Sequence, residues 1–197
     1  MAQHRIGKER LTLFSDGVFA VIITILVLEM KPPEEATFGA LLSLWPTGLG
    51  YGVSYLFIAI VWINHHHLFN YAEGATQRVV WYNFAHLFAV SLIPFTTEWL
   101  AESRLGPAPA SMYAVVFVLV NITYLALCWE SVDRASPAAI SQRVRRLFRM
   151  RSFITIGLFS AAAVLAAWWP IAGIALICLC LVLYVRPDIP QPMTAEG

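Results

Sequence analysis

Arg10-Leu11-Thr12-Leu13-Phe14-Ser15-Asp16-Gly17-Val18-Phe19-Ala20-Val21-Ile22-Ile23-Thr24-Ile25-Leu26-Val27-Leu28-Glu29-Met30 carries Asp16 near its start, then a charge-free, mostly apolar run as far as Leu28, with Glu29 near its end, and Lys31-Pro32-Pro33 follows it. Proline has no amide hydrogen to donate and its ring clashes with the preceding turn, so a helix from about Arg10 to Met30 stops there. At about 1.5 Å of rise per residue, such a helix matches a hydrocarbon core of roughly 30 Å. Arg5, Lys8 and Arg10 precede the run as the basic region of a signal peptide would. The run is too long for that role, contains Asp16 and ends without a small-residue cleavage site, so it reads as a mature first helix.

The rest of the chain has the same character. Of its 197 residues, 59% are hydrophobic and only 13% charged, far from the balance of a water-soluble domain. Phe38 to Asn70, Val79 to Thr97, Ser111 to Trp129 and Phe153 to Val185 contain no Asp, Glu, Lys or Arg. The expectation is an all-α integral membrane protein, with residues 1–190 as one transmembrane domain and 191–197 as a disordered tail.

A second helix begins near Phe38, with Pro46 and the glycines at 48, 50 and 52 as early kinks, and reaches the polar cluster Asn64 to His67. Asn70 to Arg78 reads as a loop, Val79 to Leu100 as a third helix, Ala101 to Ala110 as a loop, and Ser111 to Glu130 as a fourth helix. Asp133 to Arg151, with six arginines, reads as a connector that is partly an interfacial helix. The final apolar run is interrupted by Trp168-Trp169-Pro170, which fits two short helices with their turn at the membrane surface. The expected number of transmembrane helices is six.

Lys and Arg distribute unevenly between the two sides that this topology defines. Arg5, Lys8, Arg10, Arg78, Arg134, Arg143, Arg145, Arg146, Arg149, Arg151 and Arg186 fall on one side, and Lys31 and Arg104 on the other. By the positive-inside rule both termini are cytoplasmic, as expected of a multi-pass protein of the cell (inner) membrane. The net charge of +1 gives no support to nucleic-acid binding. Cys128, Cys178 and Cys180 lie in apolar runs without C-x-x-C spacing and read as buried thiols.

Three features carry potential function. Asp16 within or near a span needs a partner or water: it is either a helix-start acid at the headgroups or a member of a buried polar network. Gly17, Val21, Thr24 and Leu28, with Ile25 beside them, form one continuous helical stripe, which suits close packing between helices or the wall of a pore. His65-His66-His67 does not suit a metal, because neighbouring helical side chains diverge by about 100°. These imidazoles are instead expected to bond Asp16, Ser15 or Asn83, with His86 in the same network. The run Gly48-Leu49-Gly50-Tyr51-Gly52 is like a potassium filter in composition, yet it lies at the start of an apolar helix rather than in a re-entrant loop. No Walker, nucleophile-elbow or H-E-x-x-H pattern occurs, so no enzyme chemistry is visible.

The pattern Arg10-x-x-x-Phe14-Ser15-Asp16-Gly17-Val18-Phe19-Ala20-Val21-Ile22-Ile23-Thr24 resembles the first-helix signature of the transmembrane protein 175 family of potassium channels. Tyr51-x-x-Ser54, Trp62-x-x-His65-His66, Trp81-x-Asn83 and Pro94-Phe95-x-Thr97 extend the resemblance. It implies a six-helix subunit, a homotetramer with helix one of each subunit around the pore, and passive, modestly selective K+ conduction without a resident cofactor or metal. Carried over by position, Val21 is the hydrophobic constriction, Thr24 the polar ring, and Ile25 and Leu28 further pore rings. Arg10, Phe14, Ser15, Asp16, His65, His66, Trp81 and Asn83 are the polar network that holds helix one to helices two and three. Valine is shorter than the Ile or Leu common at that constriction, which implies a wider gate. A proton- or cation-coupled transporter and a non-conducting scaffold are the alternatives, though the internal repeat of many transporters is not evident.

Overall fold

The computed structural model describes residues 7–72, 74–133 and 142–184. Its helices are α1 (Lys8–Leu28), α2 (Phe38–Ser43), α3 (Trp45–Tyr71), α4 (Gln77–Ser91), α5 (Ile93–Glu102), α6 (Pro107–Cys128), α7 (Gln142–Ala166) and α8 (Pro170–Tyr184). A π-helical turn, Trp129–Asp133, continues α6. Local chemistry sets several starts: Thr37 and Thr76 accept hydrogen bonds from the amides of Ala40 and Val79, while Pro46, Pro94 and Pro107 occupy first-turn positions where no amide hydrogen is needed.

Five helical stretches among the described residues are long and apolar enough to cross a bilayer: α1, α3, the α4–α5 pair, α6 with its π extension, and α7 from Arg145. The apolar helix Pro170–Leu183 is shorter. The boundaries differ from the sequence reading in physically simple ways. Phe38 does not start the long second helix, because the chain turns at Leu44 before Pro46 and leaves α2 as a separate piece. The third helix breaks at Leu92, two residues before Pro94. The expected connector after Asp133, read as partly an interfacial helix, is helical from Gln142 and runs on without a break into the apolar span, since arginine is a good helix former. Only one of the two helices of the final hairpin is therefore short. Arg5, residues 134–141, the Arg143 side chain and the chain from 185 onward, including the expected disordered tail, lie outside the described residues.

Helix α6 is central, with Tyr113, Ala114 and Phe117 fully buried against neighbours on both sides. Phe57 of α3 stacks on Phe117 with centroids 3.7 Å apart, and Phe159 of α7 meets both rings edge-on. Polar side chains join α6 to α7: Ser111 donates to the Ala163 carbonyl at 2.9 Å, and Thr155 to Asn121 Oδ1 at 2.9 Å. Such bonds matter where lipid offers no competing partner, as does close approach at small residues. At Gly173 a Cβ would lie 2.6 Å from the Ala166 Cβ, so α8 can fold back on α7 only with glycine there.

Candidate functional site

Helix α1 divides into two faces. Leu11, Ser15, Phe19, Ile22 and Leu26 recur at spacings of four, four, three and four, and all are buried against the bundle. Gly17, Val21, Thr24 and Leu28 look away from it. Val21 is 56% exposed and Leu28 77%, while Ile25 is half-buried between the faces. The stripe is therefore not an interface within the subunit. Thr24 Oγ1 donates to the Val21 carbonyl at 2.8 Å, which consumes its hydrogen and leaves the oxygen lone pairs to whatever lies outside.

The buried face carries a polar chain. Ser15 Oγ donates to the Leu11 carbonyl at 2.9 Å and accepts from Asn83 Nδ2 at 2.9 Å. Asn83 Oδ1 lies 2.7 Å from His65 Nε2. With Nδ2 committed to Ser15, the asparagine oxygen must accept, so His65 carries its hydrogen on Nε2. All three side chains are fully buried, one each from α1, α4 and α3. The chain thus ties α1 to both helices.

Asp16 sits beside this chain and accepts from Trp62 Nε1 at 2.8 Å on the exposed flank. The remaining residues of the expected network lie elsewhere. Arg10 is exposed and makes no bond to Asp16; Phe14 packs on Phe84 at 5.5 Å, and Trp81 on the same ring at 6.3 Å. His66 is exposed beside Trp62 at 5.9 Å. His86 bonds Thr123 of α6 at 3.2 Å rather than Asn83, though its ring stacks parallel to that of His65 at 6.0 Å. Gly48 to Gly52 is α-helical throughout and presents no loop of carbonyls.

Sequence reasoning missed three further anchors. Lys8 Nζ donates to the Ala72 carbonyl at 2.9 Å, placing a cation at the C-terminal end of α3, where the helix dipole favours it. Ser54 Oγ lies 2.6 Å from Thr97 Oγ1 and 2.7 Å from Tyr113 Oη, a buried hydroxyl trio joining α3, α5 and α6. Ser54 and Thr97 stood in the quoted motifs without an assigned role, and Tyr113 inside an apolar run signalled the third member, since its hydroxyl must find a partner when buried. At the far end of α1, Lys31 Nζ meets Glu102 at 3.3 Å and Glu98 at 3.6 Å over a cleft of about 260 Å³. The hydrogen bond and charge of Glu102, then the charge of Glu98, raise the Lys31 pKa. The group is fully exposed, so the pair orients more than it stabilises.

A family model described as endosomal/lysosomal potassium channel TMEM175 matches residues 10–94, which hold both faces of α1 and the Ser15–Asn83–His65 chain. A potassium channel of Chryseobacterium is 32% identical over 182 residues, covering 92% of this chain and 94% of that one. A potassium channel of Streptomyces collinus is 34% identical over 177 residues, covering 80% and 86%. The crystal structure of a lysosomal potassium-selective channel TMEM175 homolog from Chamaesiphon minutus superposes with a TM-score of 0.81 at 28% identity, over 90% of this chain and 96% of that one. With an all-helical bundle of apolar spans matched over nearly its whole length, the chain belongs to the TMEM175 family of membrane ion channels, not to an enzyme family.

Proposed function

We propose that the chain is one subunit of a homotetrameric, modestly selective potassium channel in the cell membrane, with α1 of each subunit around the pore. In this reading α8 makes a sixth crossing and both termini are cytoplasmic. The observation that carries it is the division of α1: one face is buried and bonded to its own bundle, while Gly17, Val21, Thr24 and Leu28 have no cover from it. Four copies about an axis would bring those residues together. The names of the bacterial relatives supply the ion.

Val21 forms the narrow ring. A ring of valines sheds water, so conduction waits for it to widen and wet. Thr24, one turn further, offers hydroxyl oxygens whose hydrogens are held by the backbone, so four lone-pair donors can replace part of a K+ hydration shell. Ile25 and Leu28 extend the lining. Ser15, Asn83 and His65 do not touch the ion; they hold the rotation of α1 that aims Val21 and Thr24 at the axis. Asp16 and Trp62 lock the same turn, whereas Phe14 and Trp81 pack with Phe84 at its edge. Native mass in detergent should give four subunits, and Thr24→Val in liposomes should lower the K+/Na+ permeability ratio while keeping current. A monomer or dimer, or an unchanged ratio, refutes the assignment.

A further inference from the structure

The cleft at the far end of α1 takes no part in the conduction reading. Three helices build it: Leu26 of α1, Pro46 and Tyr51 of α3 and Pro94 of α5 line its apolar floor. Leu26 and both prolines are buried. At about 260 Å³ it falls just below the range of about 300–1,000 Å³ usual for drug-sized ligands, so its occupant is small.

The rim is charged, and its acids outnumber its cations. Glu29, Glu98 and Glu102 line it against Lys31 and Arg104. Lys31 is shared between Glu102 at 3.3 Å and Glu98 at 3.6 Å, both longer than the roughly 2.7–2.9 Å of a close charge-assisted bond. That loose group of three keeps one negative charge. Glu29 makes no ion pair among the described residues and adds a second, and Arg104, equally without an ion-pair partner among them, offsets one of the two.

Floor and rim are joined in the same way on two walls. On α1, Glu29 follows Leu26 at a spacing of three; on α5, Glu98 follows Pro94 at a spacing of four. Each acid therefore stands one turn above an apolar floor residue, on the same side of its helix. The hold of Glu98 and Glu102 on Lys31 shows what an acid pair at this rim accepts: an ammonium.

We propose that the cleft is a binding site for a small aralkylammonium ligand, its ammonium held by Glu29 and Glu98 in place of the Lys31 contact and its apolar body lying on Leu26, Pro46 and Pro94. The site rests on the fold and not on ion conduction. An inorganic cation would use the rim alone, and the buried floor selects the organic one.

The test titrates phenylethylammonium, phenylethanol or ethylammonium into purified protein in neutral detergent at neutral pH and reads binding by calorimetry, with protein-free micelles as the blank. Phenylethylammonium should bind about tenfold tighter than phenylethanol, the equivalent of about 1.4 kcal/mol from two exposed charge contacts, and ethylammonium should bind more weakly still. Glu29→Gln and Glu98→Gln should each weaken the ammonium about threefold and leave the alcohol as it was, which shows the cleft intact. Lys31→Met should tighten the ammonium about threefold, because the competing ammonium is gone. Equal binding of phenylethylammonium and phenylethanol, an unchanged affinity in Glu29→Gln, or unchanged or weaker binding in Lys31→Met overturns the proposal. Ethylammonium binding as tightly as phenylethylammonium overturns the assignment of an organic ligand.

Discussion

Asn83→Ala is expected to destabilise the subunit more than any other single change in the polar chain. Asn83 is the middle link, fully buried, and holds His65 at 2.7 Å and Ser15 at 2.9 Å. Ser15 keeps its own bond to the Leu11 carbonyl when the amide is removed, so its loss is small. His65 fares worse, because its Nδ1 already lacks a hydrogen-bond partner and Nε2 then loses the one it has. A buried donor left unmade costs about 1–3 kcal/mol, and the apolar reference environment of a membrane protein pulls the value toward the lower half of that range. The expected total is about 2 kcal/mol, or about 5 °C in the thermal midpoint for a chain of this size. Ser15→Ala should cost about half as much. Midpoints measured in one detergent, with K+ permeability read on the same preparations, check both values. An Asn83→Ala protein as stable as the parent but altered in ion preference would refute the anchoring role and make Asn83 a conduction residue.

Two further outcomes follow from the packing and the backbone. Gly173→Ala should destabilise by about 1–3 kcal/mol, because its Cβ would meet Ala166 Cα at 2.8 Å and the Ala162 carbonyl at 2.9 Å, and thermal unfolding reads it directly. Arg104→Gly should leave stability unchanged or raise it by up to about 1 kcal/mol, since Arg104 holds a φ of 51° that glycine adopts without strain, and the same unfolding assay checks it.

The spans were legible because charge-free runs and prolines act locally: Pro32-Pro33 ends α1 wherever the rest of the chain lies, whereas Pro107, read as part of a loop, opens α6 four residues before the expected start at Ser111. The stripe Gly17–Val21–Thr24–Leu28 was legible as a face, but which face α1 buries depends on its neighbours, and only the bundle separates it from Leu11–Ser15–Phe19–Ile22–Leu26. Membership of the polar chain was legible for Ser15, His65 and Asn83 through the resemblance. Arg10 and His66 share those motifs yet point outward, because a motif fixes residue identity and not helix rotation. His86 was drawn toward Asn83 by sequence proximity, while the partner it takes, Thr123, lies on a helix that sequence spacing cannot relate to it. The basic stretch before Phe153 was read as a connector, partly an interfacial helix, and its helix proves continuous with the apolar span from Gln142 to Ala166.

The central proposal is that the uncovered face of α1 lines the ion path and that Val21 is the residue whose side chain must part for an ion to pass. Potassium current through reconstituted Val21→Ser measures this most directly. A serine ring wets where a valine ring sheds water, so the current at equal protein density should rise above that of the parent. Val164→Ser, on α7 and at 62% slightly more exposed than Val21, should leave the current as it was. Current unchanged by Val21→Ser, or changed as much by Val164→Ser, would contradict the account.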